Sequence, residues 1–300
     1  MVKKAWREFF DEAFLARLER LRLVAKSALF RARGGARRSR RVGDGLEFAD
    51  HRAYAPGDDI RFIDWACYAR MDRLLLRLFH EHGESDVGIV LDCSASMAPG
   101  GHREKFNAAR RSAAALSYIA MAGGERVRLA PFAEELGEPL RTARDRGRFF
   151  RVLDWLAGLQ PGGRTRLKHC LERFVRGGGS VSTVLLVSDL LDCREELSDA
   201  LAWLRAAGAG ACVVHLVSPA DADPPLAGPL LLQQAETGRR LSLEVTPPVR
   251  DSYRARWGEF AGFCRRTCLA RGALYVPART DLPMDRGLLS ALRQAGALQG

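Results

Sequence analysis

The sequence predicts an α/β fold: a doubly wound, mostly parallel, Rossmann-like sheet preceded by an N-terminal helix and a small β-rich extension. Three observations predict it. From residue 86 onward, short apolar runs alternate with amphipathic helical patterns. Runs such as STVLLVSDL at 182–190 are β-branched and continuously apolar, as in strands buried in a parallel sheet. Of the 300 residues, 47% are hydrophobic and 28% charged, which supplies one large core.

The N-terminal third divides into three patterns. Residues 3–30 carry apolar side chains at the three-and-four spacing of an amphipathic helix that packs on the body of the protein or on a partner. The segment RARGGARRSRR at 31–41 is basic enough to bind phosphates, but the absence of interleaved aromatic residues favours a solvated linker. The run RLLLRLFHE at 73–81 is typical of a strand.

The alternating region then supplies the elements of the sheet in order. Strands are predicted at 86–92, 125–133, 182–190, 211–217 and 273–277, and helices at about 104–122, 147–159, 167–176, 195–207, 249–271 and 285–295. Two extended runs around ETGRR (236–240) predict a hairpin. The predicted domains are therefore a helix and Arg-rich linker (1–41), a β-rich extension (42–84) and the α/β domain (85–300), with a hairpin insertion at about 219–247.

Composition excludes several classes of protein. No apolar run is long enough to span a membrane, and the acidic residues among the first twenty fit neither a signal peptide nor a transit peptide. The seven cysteines are scattered and form no C-x-x-C pair, which indicates reduced thiols rather than a disulfide framework or a zinc ribbon. We therefore expect a cytoplasmic location. The formal charge of +11 is a weak indication of an acidic partner.

Side chains with oxygen atoms follow two of the predicted strands. Asp92 ends one strand and is followed by the hydroxyls of Ser94 and Ser96 in DCSAS, and Asp189 ends another. Thr165 lies between them in the Gly-rich loop PGGRTRL. In doubly wound sheets, functional loops gather beyond the carboxyl ends of the strands. Two carboxylates and three hydroxyls are hard ligands, so the set predicts a site for Mg²⁺ or Mn²⁺, with Ca²⁺ as an alternative.

The motif DCSAS resembles the D-x-S-x-S of von Willebrand factor A domains, whose metal-ion-dependent adhesion site also takes a Thr and an Asp from later loops. Thr165 and Asp189 stand in the corresponding order and context. The resemblance implies that Ser94, Ser96 and Thr165 reach the metal through their hydroxyls. It also implies that the aspartates bind directly or through water and that a carboxylate of the partner completes the octahedron.

The segment GDGLEFADHRAYAPGDDIRFIDWACYAR is similar to the signature of the bacterial domain-of-unknown-function family fifty-eight, a von Willebrand factor A-like family. The similarity runs from about residue 40 to the C-terminus. Its members are commonly encoded beside MoxR-type AAA+ ATPases, which implies such an ATPase as a partner but no particular reaction. A second candidate functional segment lies in the signature, although a plain turn also explains its first carboxylates; it comprises Asp58, Asp59, Arg61, Asp64 and Trp65.

Three functional hypotheses follow. The favoured one is a non-enzymatic, metal-dependent interaction module that works with a MoxR-type ATPase in the assembly or remodelling of client proteins. A metal-dependent hydrolase or phosphatase using the Asp92 and Ser94 loop is the second, although haloacid-dehalogenase-like phosphatases need an aspartate where Ser94 stands. A P-loop ATPase is excluded because no G-x-x-x-x-G-K-[ST] occurs. The third is nucleic-acid binding through the Arg cluster at 31–41.

Overall fold

The chain forms two compact units, one of residues Ala36–Ser85 and the other of Met1–Gly35 together with Asp86–Gly300. A computed structural model describes residues 10, 12–14, 16, 47–56, 58–80, 85–98, 103–142 and 149–298. The Arg cluster at 31–41 and most of the predicted helix at 3–30 lie outside the described residues.

The smaller unit is built on an antiparallel strand pair. Strand β1 (Glu47–Ala53) pairs with β2 (Leu75–His80), and the helix α1 (Trp65–Met71) lies between them in sequence. Asp64 begins this helix because its carboxylate accepts a hydrogen bond from the Cys67 amide at 2.9 Å, the usual role of an N-cap aspartate. The extension therefore contains a helix as well as strands.

The larger unit alternates strands and helices. Its elements are β3 (Ser85–Asp92), α2 (Glu104–Ala122), β4 (Arg126–Phe132), β5 (Leu140–Arg141), α3 (Phe149–Gly158), α4 (Leu167–Arg176), β6 (Ser180–Ser188), α5 (Leu197–Ala206), β7 (Gly210–Val217), α6 (Pro219–Ala222), β8 (Gly228–Gln233), β9 (Arg240–Val245), α7 (Pro247–Ala270), β10 (Leu274–Arg279) and α8 (Ser290–Gln294). A π-helical turn, Asp285–Leu289, leads into α8. None of the described helices has an apolar stretch long enough to cross a membrane.

Six of these strands form one sheet in the order β10-β7-β6-β3-β4-β5. The pairs β10–β7, β7–β6 and β3–β4 are parallel, and the short β5 is antiparallel to β4. Strands β8 and β9 form a separate antiparallel hairpin. The predicted α/β class with a mostly parallel sheet is confirmed.

Apolar side chains cover both faces of the sheet. Along β3, Ile89 and Leu91 belong to one hydrophobic cluster and Val90 to the other, because successive strand residues point to opposite faces. Helices α2 and α3 contribute to the first cluster, and α4, α5 and α7 to the second. The buried rings of Phe10 and Phe14 join the first cluster. Both faces are therefore buried, as continuously apolar strands require.

Short stretches of the following chain pair with the outer edge of β4. The two residues of β5 pair with Arg128 and Leu129 of β4. Further along, the Pro131 carbonyl accepts a hydrogen bond from the Gly137 amide at 2.9 Å, and the next carbonyl, that of Phe132, accepts one from the Cys93 amide at 2.8 Å. Because alternate strand residues direct their backbone groups to opposite sides, Pro131 faces the outer edge.

Candidate metal centre

Two buried carboxylates meet where β3 and β6 end. Asp92 is the last residue of β3, and Asp189 follows the last residue of β6. Both side chains are 1% exposed. Because β3 and β6 are neighbours in the sheet, the ends of these strands bring the two aspartates together.

Asp92 is held by two uncharged donors. Its Oδ1 accepts a hydrogen bond from the Ser94 amide at 2.9 Å, and its Oδ2 accepts one from the Ser188 hydroxyl at 2.6 Å. The first bond turns the chain sharply after the strand, and the second ties β3 to the end of β6. The carboxylate is thereby fixed in place, but neither bond neutralises its charge.

The two serines connect Asp92 to Asp189. The hydroxyl oxygens of Ser94 and Ser96 lie 3.0 Å apart, and the Ser96 hydroxyl donates to Asp189 Oδ1 at 3.4 Å. Directly after Asp189, Leu190 adopts a left-handed conformation with a φ of 59°. A bulky residue there is strained, and such strain concentrates at functional sites.

Thr165 lies in a loop that packs on the Asp92 loop through its backbone. The Gly162 amide donates to the Cys93 carbonyl at 2.7 Å, and the Ala95 amide donates to the Gly163 carbonyl at 3.0 Å. The Thr165 hydroxyl itself donates to Glu236 at 2.8 Å. The Thr165 loop is therefore beside the two serines, but its side chain is bound to the β8–β9 hairpin.

A buried lysine also occupies the site. The ammonium of Lys105, in the first turn of α2, donates to Asp189 Oδ2 at 2.6 Å and to Asp221 Oδ2 at 2.8 Å. Lys105 is 4% exposed. Although burial lowers the pKa of Lys105, the two carboxylates raise it above its ordinary value, so the side chain is charged. One ammonium thus serves two aspartates and leaves Asp92 without a cation among its hydrogen-bond donors.

Burial and neighbouring carboxylates raise the pKa of two carboxyls of the centre. Burial, and then the charge of Asp189, raise the pKa of Asp92 to about 7. Burial, and then the neighbouring Glu236 and Asp189, raise the pKa of Asp192 to about 6. Burial is the larger cause in both cases, and the smaller contribution, from neighbouring carboxylates, is the one that a bound cation would offset.

The sequence of this chain matches a known protein family. A family model described as "Protein of unknown function DUF58" matches residues 50–259, more than half of the chain. The chain belongs to the DUF58 family. The family predicted from the signature segment is confirmed. Uncharacterized proteins of Mycobacterium tuberculosis and Mycobacterium bovis are each 28% identical to this DUF58 chain, over 97% of its length and 93% of theirs.

Two solved structures have a related arrangement of elements. The conserved hypothetical protein BatB of Bacteroides thetaiotaomicron is 15% identical with a TM-score of 0.42, and the match covers 71% of this DUF58 chain and 96% of BatB. The vWF domain of the type V pili tip protein Mfa5 of Porphyromonas gingivalis is 14% identical with a TM-score of 0.33. The match covers 72% of this DUF58 chain and 97% of the Mfa5 domain. Both matches are distant, and neither bears on the site or the function.

The donor set of the DUF58 chain fits a divalent cation. Asp189 Oδ1 faces Ser96, while Lys105 takes only Oδ2. The buried Asp92 has uncharged donors and a raised pKa, so a cation beside it would relieve a real electrostatic cost. Oxygen ligands of this kind suit Mg²⁺ or Mn²⁺. The thiols of Cys93 and Cys193 do not compete, because burial raises the pKa of both above the ordinary value.

The structure also places the first part of the second candidate segment of the DUF58 chain. Asp58 accepts hydrogen bonds from the Ala55 amide at 2.8 Å and from the Arg52 guanidinium at 2.7 Å, which stabilises the turn. Asp59 is exposed. The side chain of Arg61 lies outside the described residues.

The rest of that segment forms a His–Asp–Cys group. The ligating atoms of His51, Asp64 and Cys67 lie within 4.8 Å of one another. One oxygen of Asp64 accepts from the Cys67 amide and caps α1, and the other lies 2.9 Å from Nε2 of His51 on β1. Trp65 is 59% exposed beside them. We assign this group to the local fold of the smaller unit.

Sequence reasoning did not find four polar residues of the centre: Lys105, Asp192, Asp221 and Glu236. One signal was present, because lysine is rare in this chain, with five lysines among 47 basic residues. One of the five, Lys105, stands in the first turn of α2, the helix that comes next in the chain after the D-x-S-x-S loop. The contacts of the other three depend on tertiary structure that no local pattern encodes.

Proposed function

We propose that this DUF58 chain is a protein-interaction module whose binding surface is organised by one divalent cation, Mg²⁺ or Mn²⁺. Asp92, Ser94, Ser96, Thr165 and Asp189 are the proposed ligands. The observation that carries the proposal is the chain of hydrogen bonds from Ser188 through Asp92, Ser94 and Ser96 to Asp189. It gathers buried oxygen atoms from two strand ends around two carboxylates, of which only Asp189 contacts the Lys105 ammonium.

The proposed partners are a MoxR-type AAA+ ATPase and a client protein that offers a carboxylate. Support comes from the resemblance of the signature segment and of DCSAS to their families. A bound cation would supply a Lewis-acidic position for an anionic side chain, which gives both affinity and specificity for acidic surfaces. Coupling to the ATPase would link nucleotide turnover to the assembly or remodelling of the client.

We propose that the module has no catalytic turnover of its own. Ser94 stands where a haloacid-dehalogenase-like phosphatase needs an acidic general acid, and its hydroxyl pairs with another hydroxyl, that of Ser96. The nearby thiols are buried and protonated rather than nucleophilic. Recognition, not bond cleavage, is the chemistry that this arrangement supports.

We also propose that the protein works in the cytoplasm. All seven cysteines lie among the described residues, and each is a buried free thiol. Unpaired cysteines in this number are typical of proteins from a reducing compartment.

Metal binding tests the proposal directly. Asp92→Asn keeps the shape of the side chain but removes its charge, so we expect Mn²⁺ affinity to fall at least about tenfold. Electron paramagnetic resonance of free Mn²⁺ measures the change. The matched control is Asp154→Asn, on the exposed side of α3, which should bind Mn²⁺ as the native chain does. Equal affinity in all three proteins would refute the metal site.

The partner is tested with a purified MoxR-type ATPase from the same genome. We expect the native chain to bind it in Mg²⁺, and binding to be lost in EDTA and in Asp92→Asn but kept in Asp154→Asn. The same preparations are assayed for phosphatase activity. Metal-dependent turnover that disappears in Ser94→Ala would replace the interaction module with the enzyme hypothesis.

A further inference from the structure

The hairpin formed by β8 and β9 ends in a turn with its own hydrogen bonds. The Gln234 amide donates to the Arg239 carbonyl at 2.8 Å, and the Gly238 amide donates to the Gln234 carbonyl at 2.9 Å. The Thr237 hydroxyl adds a bond to the Gln234 side chain at 2.7 Å. These bonds give the turn a defined shape, which fixes the direction of the side chain at its tip.

Glu236 is the tip residue that points inward. Its neighbours Ala235 and Thr237 are exposed, whereas Glu236 is half-buried. Its Oε1 accepts from the Thr165 hydroxyl at 2.8 Å, and its Oε2 accepts from the Thr165 amide at 3.1 Å. Because both oxygens of Glu236 accept hydrogen bonds from Thr165, the carboxylate has a fixed position and orientation.

Through Thr165, the Glu236 carboxylate lies on the loop that packs against the Asp92 loop. Burial, and then the charges of Glu236 and Asp189, raise the pKa of Asp192, which lies near both carboxylates. Glu236 therefore binds one proposed metal ligand, Thr165, and lies near Asp192, a neighbour of another proposed ligand, Asp189. Bringing a further carboxylate into a region that is already negative is unfavourable unless a cation is shared.

The base of the hairpin leaves room for movement. A cavity of about 80 Å³ lies between the inner side of the hairpin and α7. Its lining is apolar on both sides and includes Leu232, Leu243, Val249 and Tyr253. A hairpin above a cavity of this size loses few contacts when it shifts, since a void offers no packing partner.

We propose that Glu236 is the site's resident carboxylate ligand, supplied by the chain itself at the position that a carboxylate of a client takes. This inference rests on the proposed metal site. Two effects follow from this role. The charge of Glu236 strengthens cation binding, and an acidic client binds only by displacing the hairpin tip. A carboxylate ligand that binds the cation weakly therefore does not displace the hairpin tip.

The test uses Mn²⁺ with the full-length chain. Glu236→Gln keeps the size of the side chain and removes its charge, and Glu236→Ala removes the contact. We expect both variants to bind Mn²⁺ about tenfold more weakly, and the Mn²⁺ bound to Glu236→Ala to carry one more exchangeable water, measured by water proton relaxation. Glu244→Gln, on an exposed position of the same hairpin, is the matched control and should match the native chain.

Acetate serves as the carboxylate probe. We expect acetate to displace the additional water from Mn²⁺ bound to Glu236→Ala, and to leave the water count of the native complex unchanged at the same concentration. If acetate acts equally on both proteins, or if the variants bind Mn²⁺ with native affinity and hydration, Glu236 is only a structural anchor and the inference is overturned. If the native chain binds no Mn²⁺, the proposed metal site fails, and the inference fails with it.

Discussion

At the scale of single residues, the most consequential side chain is Lys105. Its ammonium lies between Asp189 and Asp221 and is almost fully buried. Burial raises the pKa of Asp221, while Lys105 lowers it, so this aspartate depends on the ammonium for its charged form. The ammonium of Lys105 therefore compensates the charges of Asp189 and Asp221, and the charge of Asp92 remains uncompensated.

Replacing Lys105 tests this role. Lys105→Met leaves the buried Asp189 and the half-buried Asp221 without their cation, so we expect a loss of about 3–5 kcal/mol in the free energy of unfolding. Urea denaturation with circular dichroism measures it. Lys168→Met, at a half-buried position on α4, is the control and should cost less than about 1 kcal/mol. Equal stability of the two variants would contradict the assignment.

At the scale of elements, close packing of β3 against α4 depends on a glycine. A Cβ atom at Gly88 would lie 2.5 Å from Cε1 of Phe174, a side chain on α4. Phe174 cannot move away easily, because the Arg128 guanidinium stacks on its ring at 4.1 Å and donates to its backbone carbonyl. The helix thus lies directly on the strand that carries Asp92.

We expect Gly88→Ala to lower the free energy of unfolding by about 1–3 kcal/mol, because the added methyl overpacks this contact. Gly158→Ala is the control, since a Cβ atom there meets nothing within 4 Å. It should leave stability unchanged or raise it slightly. The urea midpoints of both variants decide the matter, and a native midpoint for Gly88→Ala would show that the sheet can relax.

Elements with strong local signals could be predicted from the sequence. The helix at 104–122 and the strand at 86–92 lie within one residue of their observed bounds, because continuous apolar or periodic patterns define them. Strand β5 could not be predicted, because two residues carry no pattern and pair only through β4. Asp92 and the two serines were found because a motif joins them. The roles of Lys105 and Glu236 exist only in the folded chain.

At the scale of the whole molecule, the thiols report on the integrity of the fold. The cysteines of the larger unit lie in or beside both hydrophobic clusters, and Cys67 is buried in the smaller unit. Burial raises the pKa of Cys170, Cys212, Cys264 and Cys268 to about 12. At neutral pH they are protonated and inaccessible to reagents.

We therefore expect Ellman's reagent to modify less than one thiol per native chain at pH 7.5 and all seven in 6 M guanidinium chloride. The denatured count should be the same with and without prior reduction, because no thiol is paired. A lower count without reduction would reveal a disulfide and contradict the proposed reducing location. Rapid modification of one thiol in the native chain would locate an open region of the fold.

The proline at the outer edge of β4 has a consequence for how the molecule behaves in a crowded solution. Pro131 has no N–H group, and its carbonyl is already taken by Gly137. An incoming strand from another molecule would meet the two-residue β5, a β4 position that cannot donate, and the turn that pairs Leu136 with Phe132. Such an edge resists templated aggregation and does not recruit strands from copies of the molecule.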